Sequence, residues 1–194
     1  MQPCLPGVPP NPPFVYVIFT ADIVPKTIEP LIQALSNIAE KGIPNVYMAF
    51  STPGGQVMSG ITLYNFLRAV PFSLTAHNIG NVDSIGNAVF LGAGTRYACQ
   101  HSTFMFHGVG FDGPPGRFEE KVLREMLDGL TKDQERIAGI IAERTRIGLD
   151  EAQGLFREAQ TQTAEFARER GIVDEIREFR LPQNVPVVSF VFQR

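Results

Sequence analysis

The chain has 194 residues, of which 44% are hydrophobic and 19% charged, and its net charge is −3. That length and balance suit one globular domain with a sizeable core, and the lack of a basic excess argues against a nucleic-acid partner. Cys4 and Cys99 make no disulfide framework, the three histidines match no zinc spacing, and no apolar run is long enough to span a bilayer, so neither a metal, a cofactor nor a membrane is expected.

Residues 1–13 are rich in proline, which removes backbone donors and blocks helix and central strand. They are expected to form a poorly ordered arm and not a signal peptide, since a basic n-region and an apolar h-region are missing, and the cytoplasm is the default compartment. Residues 14–194 read as one domain. Residues 14–20 are a continuous β-branched and aromatic run, the pattern of a strand buried on both faces. Ile28, Leu31, Ile32, Leu35 and Ile38 form a helical stripe over 27–41, closed by Gly42. A short strand over 46–50 leads into Ser51-Thr52-Pro53-Gly54-Gly55, and a helix over 57–69 follows, with Val57, Ile61, Tyr64 and Leu67 on one face.

A third strand is predicted over 72–79. It leads through Gly80-Asn81-Val82-Asp83-Ser84 into a small-residue buried helix over 85–93. Tyr97 and residues 103–106 suggest further strands. Residues 117–146 form a long helical stretch with a stripe of Phe118, Val122, Met126, Leu130, Ile137 and Ile141, and Gly129 is a point where it could break. A helix over 149–156, a short one over 164–170 closed by Gly171, a strand over 172–176 and an apolar strand over 185–192 complete the chain. Strands alternating with helices argue for parallel βαβ units, hence an α/β fold.

The two glycine-rich turns lie between strand and helix, at the carboxyl ends of strands, where sites collect in α/β sheets. Gly54 and Gly55 allow backbone conformations closed to other residues and let a substrate approach N–H groups that could hold an oxyanion. The turn could equally be only a tight turn; phosphate cradling lacks both the Walker lysine and the G-x-G-x-x-G pattern. Ser84 opens a buried helix, where the N-terminus favours negative charge and the Ile85 amide can point at the same oxyanion; its plain alternative is a helix N-cap. His107 follows an apolar strand and precedes Gly108, a setting that suits a general base or a structural histidine. His77 reads as a strand residue and His101 as a surface loop residue.

Together these segments resemble one family, the proteolytic subunit of Clp protease within the crotonase-like superfamily. Ser51-Thr52-Pro53-Gly54-Gly55 resembles the family's N-S-P-G-G, Gly80 to Gly86 its G-x-A-A-S-M-G, Phe104-Met105-Phe106-His107 its strand-then-histidine segment, and Ala167 to Asp174 its E-A-x-x-Y-G-L-V-D. The resemblance covers about residues 14–176. It implies a crotonase-like (ClpP-type) ββα superhelix with a long handle helix. It also implies peptide hydrolysis through an acyl-serine, with Ser84 as nucleophile, His107 as base, the amides of Gly55 and Ile85 as oxyanion hole and Gly54 in contact with substrate. A peptide or unfolded protein would be the substrate, a ring-shaped homo-oligomer the assembly, and an AAA+ unfoldase a conceivable partner.

Four features depart from the family. Counting back from Asp174 places Ala159 where the family's triad aspartate falls, which leaves Glu158 as the candidate third residue, with Gln160 or Thr161 as neutral substitutes. Asp83 stands where the family has a small residue. A proline-rich arm replaces the family's axial loop and first helix. Residues 111–116, with Pro114 and Pro115, occupy its handle hairpin. Two other readings follow: a catalytically weak or inactive ClpP-like subunit, and a crotonase-type enzyme acting on an acyl-CoA thioester. The second is disfavoured because that chemistry needs an acid/base carboxylate rather than a serine.

Overall fold

The computed structural model describes residues 13–110 and 116–191. The proline-rich arm apart from Pro13, the handle segment apart from Gly116, and Phe192 lie outside the described residues. The elements run in the order β1 (Val15–Thr20), α1 (Pro25–Glu40), β2 (Asn45–Thr52), α2 (Val57–Ala69), β3 (Ser73–Asp83), α3 (Gly86–Phe90), β4 (Thr95–Ala98), β5 (Thr103–Met105), α4 (Glu120–Arg144), α5 (Leu149–Glu158), β6 (Thr161–Thr163), α6 (Ala164–Glu169), β7 (Glu175–Ile176) and β8 (Val187–Val191).

The sheet path is β6-β5-β3-β2-β1-β8, with β4 joining β3 to β7. Its pairs are parallel except β5 with β6, as alternating strands and helices require. Along β1, Val15, Val17 and Phe19 are buried while Tyr16, Ile18 and Thr20 are half-buried, so only one face of the strand meets the full core, not both as its sequence suggests. Helix α1 seals its side of the core with Ile28, Leu31, Leu35 and Ile38, spaced three and four apart. Each such side chain contributes about 1.5–3 kcal/mol.

Strand β3 has two halves. Thr75 to Asn78 pair with β4, and Asn81 to Asp83 pair with β5. Between them the register against β2 slips: Phe50 faces Asn78, yet Thr52 faces Val82. The extra residues of β3 bulge out around Gly80, and buried Asn78 braces the bulge by donating to the Thr103 carbonyl at 2.8 Å and accepting from the Gly80 amide at 3.0 Å. This bulge carries the end of β3 to the site described below.

Four further elements depart from the sequence pattern. Helix α4 is unbroken through Gly129, because that glycine is solvent-exposed and costs a helix only about 1 kcal/mol. Helix α3 spans five residues rather than nine, and the strand expected over 172–176 is reduced to Glu175–Ile176. Strand β6, a Thr-Gln-Thr segment too short for periodicity to reveal, pairs with β5. Along α4 only Ile137, Ala138 and Ile141 are buried; its first four turns extend beyond the core, with Leu123 and Leu127 exposed. No helix among the described residues is long and apolar enough to cross a membrane.

His77 is a core residue of β3. Its Nε2 lies 3.1 Å from the Arg177 carbonyl, which can only accept, so Nε2 carries the proton and Nδ1 accepts from the Tyr47 hydroxyl at 2.7 Å. Burial pushes its pKa down to about 4 and keeps the ring neutral. His101 is exposed on the turn before β5.

Candidate active site

The carboxyl ends of β1, β2, β3 and the segment after β5 meet around one cleft of about 760 Å³. Gly54, Gly55, Ser84, Ile85 and His107 all line it, and Ile137 of α4 and Phe156 of α5 form part of its apolar wall. The sequence-predicted nucleophile, base and oxyanion donors are therefore brought together.

Ser84 is not the first residue of a helix. It sits at φ 57°, in the left-handed region, one residue before the Ile85 cap of α3. A non-glycine residue held there costs of order 1–3 kcal/mol, which surrounding structure must over-determine. Three bonds fix the turn: the Ser84 amide donates to the Met105 carbonyl at 2.8 Å, and Asn87 Nδ2 donates to the carbonyls of Ser84 at 3.1 Å and Met105 at 2.8 Å. The five residues of α3 supply little dipole, so stabilisation of an anion here rests on individual amides.

Gly54 and Gly55 have different duties. Gly54, at φ 92°, has both backbone groups engaged: its amide donates to Thr52 Oγ1 at 3.1 Å and its carbonyl accepts from the Ile23 amide at 2.7 Å. It lines the cleft with its amide already committed; it also supplies space, because a Cβ there would lie 2.7 Å from the Ser84 Cβ and 3.3 Å from its Oγ. Gly55, at φ 149°, is pressed against Ile23, whose carbonyl would be 2.3 Å from an added Cβ. Among the described residues neither the Gly55 amide nor the Ile85 amide has an acceptor, and both residues line the cleft beside Ser84. Two uncommitted donors flanking a hydroxyl are what an oxyanion hole requires.

His107 is half-buried beyond β5. The β5–β6 register pairs Thr103 with Thr163, Phe104 with Gln162 and Met105 with Thr161, and the Phe106 amide continues it by donating to the Gln160 carbonyl at 2.8 Å. One step further places Ala159 opposite His107. Ala159 has φ 51° and ends α5 in the left-handed conformation. Glu158 stays on the exposed end of that helix, its carboxylate accepting from Gln160 Nε2. No bond joins Glu158, Gln160 or Thr161 to His107 among the described residues, and Glu158 does not line the cleft.

Among the described residues no hydrogen bond or ion pair joins a carboxylate to His107; Asp83, which stands where the family has a small residue, is the carboxyl group that feels the charge of His107 through space. Burial raises its pKa, a hydrogen bond from Asn81 lowers it, and the charge of His107 lowers it further. The β3–β5 register that sets this relationship leaves no signal in either segment alone.

A family model described as Clp protease matches residues 15–180. Among solved structures, a ClpP1 mutant from Listeria monocytogenes superposes with a TM-score of 0.75 at 21% sequence identity, over 85% of this chain and 92% of that chain. At that identity the likeness carries the fold, a crotonase-like arrangement of the ClpP type.

Proposed function

The chain belongs to the Clp protease family, and on that premise we propose that it hydrolyses peptide bonds through an acyl-enzyme formed on Ser84. One observation carries this reading: the strained Ser84 turn shares a cleft with His107 and with two backbone amides that have no acceptor among the described residues. Ser84 Oγ attacks the scissile carbonyl while His107 takes its proton. The Gly55 and Ile85 amides hold the oxyanion, and His107 returns the proton to the leaving amine. Water then repeats the sequence on the ester. The absence of a bond between Glu158 and the imidazole favours a slower enzyme than a complete triad, since the carboxylate-to-amide change in a serine protease lowers kcat by about 10⁴.

The substrate class is an extended peptide or unfolded chain, which membership of the family supports. The exposed leucines of α4 support self-association, and the family's habit of forming rings points to a ring. The test of the chemistry is active-site labelling. A fluorophosphonate or β-lactone adduct should appear on Ser84 by mass spectrometry and vanish in Ser84→Ala. Absence of any adduct between about pH 6 and 9, a range that starts near the ordinary histidine pKa of about 6.5 and extends well above it, would leave a non-hydrolytic subunit as the better reading.

A further inference from the structure

We propose that Asp83 is the positioning residue of this site, the carboxylate that stabilises the imidazolium of His107 from the strand that also carries the nucleophile. The proposal rests on the Ser84–His107 chemistry above and names the group that supports it.

The geometry begins with the sheet. Asp83 faces Met105 in the parallel β3–β5 pair, and alternate residues of a strand share a face, so His107 continues on the side of Asp83. The burial pattern agrees: Val82, Phe104 and Phe106 are buried on one side, whereas Asp83, Met105 and His107 are half-buried on the other. The Asp83 carboxylate is fixed in place. Ser51 Oγ donates to Asn81 Oδ1 at 2.9 Å, and the Thr52 carbonyl, which can only accept, settles which end of that amide is the donor. Asn81 Nδ2 then donates to the Thr52 carbonyl at 3.1 Å and to Asp83 Oδ2 at 2.5 Å. One carboxylate oxygen is thus held by a relay anchored on β2, and the position opposite His107 on the other flank holds only Ala159.

The electrostatics follow. A half-buried carboxylate beside a nucleophile is costly to keep ionised, and burial raises its pKa for that reason. Asn81, His107 and the Met105 backbone act against that penalty. Asp22 at the cleft rim is exposed and Glu158 faces Gln160; neither bears on Asp83. A purely structural acceptor for Asn81 would need no charge, because an asparagine could take the same bond. The charge is what serves His107.

Rate constants for fluorophosphonate labelling of Ser84, measured from about pH 5 to 9 on the full chain, separate these roles. Asp83→Asn keeps the acceptor and loses the charge; it should label at least about tenfold more slowly at pH 7, with the acid limb of its profile moved to lower pH. Asp83→Glu should keep the limb where the wild type has it. His107→Ala should abolish labelling, and melting curves verify that each variant folds. If the wild type fails to label, or labels as fast without His107, the peptidase reading falls and this proposal with it. If the wild type labels through His107 but Asp83→Asn stays within about twofold with an unmoved limb, or Asp83→Glu moves the limb as Asn does, the role of Asp83 alone is overturned.

Discussion

Gly54 and Ser84 occupy one another's space: the missing side chain of the first is the room taken by the Cβ and hydroxyl of the second. A methyl group at 54 would meet the Ser84 Cβ at 2.7 Å and the Asp83 carbonyl at 2.9 Å, on a backbone at φ 92° that alanine resists. Gly54→Ala should therefore cost about 1–3 kcal/mol of stability and slow Ser84 labelling by at least about tenfold. Denaturant melts and probe kinetics on the same sample check both; unchanged kinetics would mean the turn relaxes away from the serine.

Ser84 itself carries strain that its chemistry justifies. At φ 57° a residue with a Cβ is disfavoured by roughly 1–2 kcal/mol relative to glycine. Ser84→Gly should consequently be more stable than Ser84→Ala by about 1 kcal/mol, with both unreactive. Equal melting temperatures for the two variants would show that the surrounding bonds, and not the left-handed backbone, determine the stability of this turn.

Asp83 gives a pH signature in stability as well as in rate. Its folded pKa is raised by burial, so its favourable contribution belongs to low pH and is lost as pH rises through that value. Asp83→Asn should raise the melting temperature at pH 7, and the gain should shrink toward pH 4. A gain independent of pH would point to packing rather than charge.

His77 has the opposite dependence. Folded, its pKa is near 4; unfolded, a histidine protonates near 6.5. The neutral ring contributes stability above pH 6.5 that is lost as pH falls toward 4, up to roughly 3 kcal/mol. His77→Gln should flatten that part of the stability–pH curve in urea titrations, and an unchanged slope would place the effect elsewhere.

The outer turns of α4 predict assembly. Leu123 is 51% exposed and Leu127 65%, on a helix whose buried contacts begin only at Ile137. Light scattering should give a multimer of six or seven chains, or twice that, and Leu127→Glu should reduce it. A mass near 21 kDa at tens of micromolar protein would overturn the assembly.

Much of this molecule was legible from its sequence, for physical reasons that differ by element. Helix α1 announced itself because an amphipathic face repeats Ile28, Leu31, Leu35 and Ile38 at helical spacing. The two turns were legible because glycines cluster where a backbone must approach a serine. Strand β6 was not, since three residues paired by long-range hydrogen bonds leave no periodicity. The left-handed Ser84 was hidden because its conformation is imposed by Asn87 and Met105 rather than by local preference. The placement of Asp83 on the same face as His107 was equally hidden, because it depends on β3–β5 register, which no single segment encodes.

The slip in register between β2 and β3 acts as a phase setting for everything downstream. Side chains alternate with a period of two, so a net shift of one residue in the Gly80 bulge would turn Asn81, Val82 and Asp83 over together. Val82 would be driven from the core, the aspartate would be driven into it, and the serine would be presented away from the histidine. Deleting one residue from this bulge should therefore abolish reactivity while every residue of the site is still present; deleting a pair that restores the alternation should be better tolerated. The chain length of that bulge, as much as the identity of the residues beyond it, decides whether this surface can react at all.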